Sequence, residues 1–134
     1  MGKAALLLLL GLFQLNTVIA QFDNPMPAPL HVSSNGHYLQ YQDGKPFFWL
    51  GDTGWELFHR LTKEEILKYL NNRHDKGFNV IQAVVLAEFD GLRKPNRYGD
   101  RPFIDNINVV PNENYFSLVD WTVEKALELK MYMG

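Results

Sequence analysis

The fold depends most on residues 47–66, which read FFWLGDTGWELFHRLTKEEI. The stretch begins with four apolar residues, as a strand would. Two glycines, two acids and a tryptophan follow before a helix begins, although a two-residue turn would join the two elements. A polar and aromatic link at the end of an apolar strand predicts that this loop carries function.

The helix at the end of this stretch has a recognisable start and stop. Thr62 and Glu65 have the spacing of a capping box, in which each side chain bonds the other residue's backbone. The apolar residues of the next turns share one helical face: Ile66, Leu67 and Leu70. Gly77 then predicts a left-handed cap at the end of the helix.

Upstream of the quoted stretch, the sequence predicts a β-hairpin. Residues 31–50 alternate roughly between hydrophobic and polar side chains, and an Asn-Gly pair at 35–36 marks a tight turn. An Asp-Gly pair at 43–44 turns the chain again, into a third strand at Phe47–Leu50.

Downstream, strands and helices alternate. Residues 78–86 form an apolar, β-branched run, which is typical of a strand buried on both faces. A second amphipathic helix follows, and its predicted apolar face contains Phe116, Val119, Val123, Ala126 and Leu127. A further strand begins at Met131. This βαβαβ order predicts an α/β fold with a parallel sheet and right-handed crossovers.

The links after the predicted strands are long, whereas the links after the helices are short. In barrels and doubly wound sheets, the functional loops follow the carboxyl ends of the strands. Those loops are residues 51–61 and 88–114 here. The second is far longer than the usual length of about 2–6 residues, and its aromatic content argues against disorder.

Asp52 and Trp55 in the first loop have two readings, which the residues alone leave open. In one, Asp52 caps a short helical turn over residues 55–59. In the other, its carboxylate accepts hydrogen bonds from a ligand's hydroxyl groups, beside Trp55 as a stacking platform. A sugar ring presents both an apolar face and a rim of hydroxyls, so the second reading predicts a carbohydrate site.

Glu88 follows the apolar run at 78–86, at a strand end where barrel sites form. We therefore predict that it contacts the ligand. The alternative is a structural ion pair with Arg93, Arg97 or Arg101 of the same loop.

Composition excludes several classes of function. The chain has a net charge of −2 and shows no basic stripe, so neither nucleic acid nor an anionic membrane is expected as a partner. It contains no cysteine, which excludes disulfides and thiolate metal sites. The four histidines lack metal-ligand spacing, and no glycine-rich phosphate motif occurs, so we predict no metal and no cofactor.

Residues 1–20 have the layout of a secretory signal peptide. Lys3 gives a positive start, residues 4–13 are apolar, and short side chains precede a cleavage point after Ala20. The apolar run ends too early for a membrane span, which needs about 20 residues. We expect a secreted or periplasmic mature chain with no membrane contact after signal removal. Residues 21–30 are proline-rich and predict an extended leader.

Four segments together resemble a known family. They read LHVSSNGHYLQYQDGKPFFWLGDTGWELFHRLTKEEI at 30–66, NVIQAVVLAEFDGL at 79–92, NRYGDRPF at 96–103 and YFSLVDWTVEKALELKMYMG at 115–134. In this order they are similar to the start of the apiosidase-like glycoside hydrolases. The resemblance covers nearly everything after the leader.

The resemblance implies a (β/α)8 TIM barrel, here preceded by the short hairpin. It also implies a secreted enzyme that cuts glycosidic bonds in plant cell-wall polysaccharide, with apiose-containing pectin as the substrate type. The partner would be an oligo- or polysaccharide. A complete barrel needs about 250 residues, so residues 31–134 would supply roughly two and a half of its βα units. We therefore expect an amino-terminal fragment of an enzyme whose barrel is usually followed by a small β-sandwich.

The resemblance assigns no catalytic residue to this chain. Such barrels place one carboxylate after strand four and another after strand seven, and both positions would lie beyond Gly134. The chain alone is expected to be inactive, and Asp52, Trp55 and Glu88 are predicted to line the substrate only. A non-catalytic carbohydrate-binding or surface protein on the same scaffold is the alternative, since barrels can lose their catalytic carboxylates. A doubly wound α/β domain that binds a small molecule is a weaker alternative, because the predicted leading hairpin counts against that fold.

Overall fold

The structure, a computed structural model, describes residues 27–105, 107 and 109–134. Its elements, in chain order, are β1 (His31–Val32), β2 (Leu39–Gln40), β3 (Gly51–Thr53), α1 (Leu57–Arg60), α2 (Lys63–Asp75), β4 (Val80–Gln82), α3 (Glu113–Glu128) and β5 (Tyr132–Met133). The predicted signal peptide and residues 21–26 of the predicted leader lie outside the described residues. No helix in the described ranges is long and apolar enough to cross a membrane.

The predicted hairpin is confirmed. Strands β1 and β2 pair antiparallel, with Val32 opposite Leu39. Gly36 in the turn between them has a φ of 75°, a left-handed conformation that glycine adopts without steric cost. The chain then doubles back, and the Phe47 amide donates to the Leu39 carbonyl at 2.8 Å.

The strand predicted at Phe47–Leu50 is wrong, because the parallel sheet begins only after it. The Leu50 amide donates to the Asn79 side-chain oxygen at 2.9 Å, and the Asn79 side-chain nitrogen donates to the Phe48 carbonyl at 2.7 Å. This carboxamide therefore occupies backbone groups that a neighbouring strand would otherwise pair. As a result, Asp52 lies inside β3 instead of after the end of a strand.

The parallel sheet itself is confirmed, in the order β3-β4-β5. Asp52 lies opposite Ile81, and Ile81 lies opposite Met133. The strand predicted over residues 78–86 is too long, since regular pairing covers only Val80–Gln82. Beyond it the chain bends away into the loop, and the Ala83 amide still donates to the Gly134 carbonyl at 3.0 Å.

Both predicted ends of α2 are confirmed. The Thr62 hydroxyl accepts from the Glu65 amide at 3.3 Å, and the Glu65 carboxylate accepts from the Thr62 amide at 2.8 Å. This capping box satisfies two amides that the first helical turn would otherwise leave unpaired. Gly77 ends the helix with a φ of 83°, as a left-handed cap requires.

The core lies between the helices and one face of the parallel sheet. Helix α2 contributes Ile66 and Leu70, α3 contributes Leu118 and Ala126, and the sheet contributes Ile81. All five are buried. Each large aliphatic side chain removed from water in this way stabilises the fold by about 1.5–3 kcal/mol.

The predicted apolar face of α3 is only partly right. Ala126 is fully buried, but the other four predicted residues are half-buried. The buried stripe runs instead through Tyr115, Leu118, Thr122 and Ala126. Two of these residues have polar tips whose partners lie inside the protein. The Tyr115 hydroxyl donates to the Val85 carbonyl at 2.6 Å, and the Thr122 hydroxyl donates to the Leu118 carbonyl at 2.7 Å.

The two faces of the parallel sheet have different surroundings, because successive strand residues point to opposite sides. Ile81 and Met133 pack against the helices. Of the residues that point the other way, Val80 is buried and Tyr132 half-buried, while the rest are exposed: Gly51, Thr53, Gln82 and Gly134. Trp49 lies against this second face, and a Cβ atom at Gly51 would lie 2.8 Å from its indole nitrogen. A side chain at position 51 would therefore require the Trp49 indole to move.

We predict that residues 21–134, expressed alone, are aggregation-prone and inactive. Strands β3 and β5 are the edges of the described sheet, and Phe48 beside it is 76% exposed. Unpaired strand edges next to apolar side chains favour association between chains. Size-exclusion chromatography and a glycosidase assay test this expectation. A soluble monomer with a cooperative thermal transition and glycosidase turnover would contradict it.

Candidate functional site

A cleft of about 530 Å³ lies between the loop after β3 and the loop after β4. The first loop contributes Glu56, His59 and Arg60, and the second contributes Glu88, Phe89 and residues 94–97. Because β3 and β4 are parallel, both loops leave the sheet at its carboxyl edge. This is the edge at which binding sites form in parallel α/β sheets.

Helix α1 fixes the wall that the first loop supplies. Leu57 and Phe58 are almost completely buried and join the core. Their burial anchors the short helix and leaves Glu56, His59 and Arg60 beside the cleft. Glu56 and Arg60 form an ion pair across one helical turn. The first wall is therefore held by apolar packing on one side and by an ion pair on the other.

Sharp turns shape the second loop. Phe89 and Asp90 have φ values of 56° and 72°, which are uncommon for residues other than glycine. Further along, the side-chain oxygen of Asn96 accepts from the amides of Tyr98 at 2.9 Å and Asp100 at 3.0 Å. These bonds close a tight turn around Asn96, which is only 6% exposed.

Two tyrosines connect the second loop to the helices. The Tyr115 hydroxyl of α3 donates to Val85 where the loop begins. The Tyr98 hydroxyl accepts from the Lys63 amide at 2.7 Å, at the first residue of α2. The described part of this loop region is therefore joined to the helices at two points.

His59 is a titratable group in the cleft wall whose pKa is shifted by its surroundings. Burial lowers the pKa of His59 below its usual value, and the positive charge of Lys94 lowers it further. The imidazole is therefore neutral at pH 7. Its ring lies 6.5 Å from the Tyr115 ring, centroid to centroid, at a tilt of 55°.

Glu88 lies in the cleft, and the alternative of an ion pair is not realised within the described residues. Arg93 pairs instead with Asp90, at 3.9 Å, and Glu88 forms no ion pair with Arg97 or Arg101. The Glu88 side chain is exposed, so its carboxylate can be reached by a ligand. Its contact with a substrate stays a prediction.

Asp52 is placed away from the cleft, on the helix-facing side of the sheet. Its carboxylate accepts a hydrogen bond from the Tyr69 hydroxyl at 2.7 Å and forms an ion pair with Arg73. The hydrogen bond from Tyr69, aided by the Arg73 guanidinium, lowers the pKa of Asp52. Burial and the neighbouring Asp52 raise the pKa of Tyr69 to about 12. These contacts give Asp52 a structural role, and its predicted contact with a substrate stays a prediction.

Trp55 is 41% exposed and lines a smaller cavity of about 200 Å³. This cavity also contacts Tyr69 and shares Glu56 and Arg60 with the main cleft. The three predicted ligand contacts therefore do not meet in one pocket. Asp52 lies on the helix-facing side of the sheet, Trp55 lines the smaller cavity, and Glu88 lines the main cleft. Phe89, which is 72% exposed, is the aromatic side chain in the cleft itself.

Sequence reasoning assigned no binding role to His59, Lys94 or Asn96 and considered Arg97 only as an ion-pair partner of Glu88. The fold brings all four residues to the cleft. The local sequence holds one usable signal, the pair Leu57-Phe58, whose burial determines where His59 lies. Among the residues that the structure describes, no group of three or more histidine, aspartate or glutamate side chains is arranged to hold a metal ion.

Comparison with known proteins identifies the family. Residues 33–134 match the family described as apiosidase-like, catalytic domain. The chain belongs to the apiosidase-like family. No curated protein matches this apiosidase-like chain significantly. The match confirms the resemblance that the sequence showed.

Two solved structures are similar to the apiosidase-like chain. One is a glycoside hydrolase family 5 protein from Bacteroides vulgatus, with a TM-score of 0.68 and 34% identity over 83% of this chain and 24% of that chain. The other is described as a glycoside hydrolase, with a TM-score of 0.69 and 34% identity over 81% of this chain and 25% of that one. The apiosidase-like chain thus spans about a quarter of the length of these structures.

Replacing Asp52 by asparagine should lower the free energy of unfolding by about 1–2 kcal/mol at pH 7. The folded-state pKa of Asp52 is depressed, so its stabilisation is present above the unfolded pKa of about 3.9 and is lost as pH falls through the folded value. Urea unfolding at pH 7 and at pH 3, on protein expressed from its complete coding sequence, measures this difference.

Asp120→Asn, an equal change of charge at an exposed site on α3, is the matched control and should leave stability unchanged. Equal stability of wild type and Asp52→Asn at pH 7 would show that the contacts with Tyr69 and Arg73 add nothing to the fold.

Proposed function

We propose that this chain is the first part of a (β/α)8 glycoside hydrolase that acts on plant cell-wall polysaccharide of the pectin type, containing apiose. The observation that carries the proposal is the cleft at the carboxyl edge of a parallel sheet, in a chain of the apiosidase-like family. Catalytic sites of (β/α)8 barrels form at this edge. The signal-peptide layout at residues 1–20 supports export to the periplasm or the medium.

Residues of this chain would bind and orient the sugar. The Glu88 carboxylate can accept hydrogen bonds from hydroxyl groups, and the exposed Phe89 ring offers an apolar surface to the C–H face of a sugar. Hydrolysis itself requires a carboxylic acid that protonates the leaving oxygen and a second carboxylate on the opposite side of the bond. We assign neither role to a residue of this chain.

Glu88→Gln tests this assignment in protein expressed from its complete coding sequence. On apiose-containing pectic oligosaccharides, we expect KM to rise about tenfold, because a charged hydrogen-bond acceptor is lost. The value of kcat should stay within about twofold of wild type, since interactions made equally in ground and transition states affect KM alone. Release of reducing sugar at a series of substrate concentrations measures both parameters.

Glu124→Gln, at an exposed position on α3, is the matched control and should behave as wild type. Binding of the oligosaccharide without any cleavage would favour the non-catalytic alternative. An unchanged KM in Glu88→Gln would remove Glu88 from the substrate site, and a collapse of kcat would give it a catalytic role that we do not assign.

A further inference from the structure

The second face of the parallel sheet, which points away from the helices, changes character along the strands. Towards the amino ends of the strands it carries Trp49 and the buried Val80. Towards the carboxyl ends it carries Thr53 and Gln82, which are polar and exposed. The change from apolar to polar side chains therefore occurs at the edge from which the two cleft loops leave the sheet.

Thr53, Gln82 and Gly134 lie side by side across the sheet and form what we call the carboxyl-end row. Thr53 pairs with Gln82 in the register of β3 and β4. The Gly134 amide donates to the Ile81 carbonyl at 2.9 Å, and its carbonyl accepts from the Ala83 amide at 3.0 Å. Gly134 therefore lies opposite Gln82. Residues of one row in adjacent strands are about 5 Å apart and point to the same face, so the hydroxyl and the carboxamide are neighbours.

The Trp49 indole lies against the same face, next to the carboxyl-end row. A Cβ atom at Gly51 would lie 2.8 Å from its Nε1, and a Cβ atom at Gly134 would lie 3.6 Å from its Cη2. The ring therefore extends from β3 towards the end of β5 and crosses β4. Trp49 is 51% exposed, so the described part of the chain does not enclose the ring.

The carboxyl-end row leads directly into the cleft loops. The Gly54 amide donates to the Gln82 carbonyl at 2.9 Å, and the Val84 amide donates to the Trp55 carbonyl at 3.2 Å. The two segments thus stay paired beyond the strands, up to the loops that border the cleft. A ligand that enters between these loops would meet the carboxyl-end row at their base.

The chemistry of this surface suits a sugar better than a packed core. Interior layers of a (β/α)8 barrel are filled mainly by bulky, branched apolar side chains. A hydroxyl and a carboxamide on neighbouring strands depart from that pattern, and each can both donate and accept hydrogen bonds, as sugar hydroxyls do. An indole beside them offers an apolar surface to the C–H face of a sugar ring.

We propose that Trp49, Thr53 and Gln82 form the floor of the sugar-binding site. The Gln82 carboxamide and the Thr53 hydroxyl hydrogen-bond the hydroxyl groups of one sugar residue, and the Trp49 indole contacts its apolar C–H face. This floor rests on the proposed function, which it deepens by naming three further residues that bind the substrate. These residues position the sugar and take no part in proton transfer.

Gln82→Met is the main test, because methionine is similar in length and lacks the amide. We expect Kd and KM for apiose-containing pectic oligosaccharides to rise about tenfold, since hydrogen bonds to the sugar are lost. The value of kcat should stay within about twofold of wild type. The Tm should shift by less than about 2 °C, because no bond within the protein is removed.

Three further variants make the test specific. Thr53→Val keeps the branched shape, removes one hydroxyl and should raise Kd about three- to tenfold. Trp49→Phe keeps an aromatic ring, so it should bind the oligosaccharide more tightly than Trp49→Leu. Gln42→Met, at an exposed position between β2 and β3, is the matched control and should leave Kd and KM unchanged.

Calorimetric binding and hydrolysis of the same oligosaccharides, on protein expressed from its complete coding sequence, separate the outcomes. Cleavage by wild type with unchanged Kd and KM in Gln82→Met and Thr53→Val would overturn the floor and leave the proposed function standing. A marked fall in Tm with unchanged Kd would show that these side chains bond other parts of the protein, and would also overturn the floor.

The remaining outcomes concern the proposed function as well. Binding by wild type without cleavage would overturn the hydrolase, while the Kd values of the variants would still decide the floor. A wild type that neither binds nor cleaves would overturn both. If Gln82→Met does not fold, Thr53→Val decides the floor by the same criteria.

Discussion

Strand β4 has hydrogen-bonded neighbours along both edges, and the rest of the described sheet depends on this pairing. It joins β3 on one side and β5 on the other, and Val80 and Ile81 are fully buried on its two faces. Val80 and Ile81 are apolar, as burial on both faces of a strand requires, whereas Gln82 at the end of β4 is exposed. Parallel pairing also forces β3 and β4 to end at the same edge, and this brings together the two loops that form the cleft.

The cleft is built from loops, but its wall is held by the packed part of the molecule. Leu57 and Phe58 anchor the first loop in the core, and Tyr115 reaches from α3 to the start of the second. Any binding site built on loops needs such support, because recognition depends on hydrogen bonds of defined length and direction. The positions of His59 and Asn96 therefore follow from burial that occurs elsewhere.

Local sequence signals predicted part of this structure well. The capping box of Thr62, the left-handed Gly77 and the alternation of strands with helices each depend on residues close in sequence. The errors arose where a side chain took partners far along the chain. The Asn79 side chain bonds the backbone of Phe48 and Leu50, and regular strand pairing begins only at Gly51. Asp52, which was predicted to lie in a loop, therefore lies in β3. Tyr115 and Thr122 entered the core with their polar tips satisfied, which no hydrophobicity pattern shows. The two long loops that the sequence singled out border the cleft, but the unpaired nitrogens of His59 and Asn96 depend on tertiary contacts.

The bond between Tyr98 and Lys63 joins the long loop to the first turn of α2. The first amides of a helix have no partner within the helix, so the phenol oxygen acts as a cap supplied from a distant segment. Whenever the loop opens, the Lys63 amide loses that cap and is exposed to water. Its rate of exchange with deuterium therefore reports how often the loop lifts off the helix, without any substrate present.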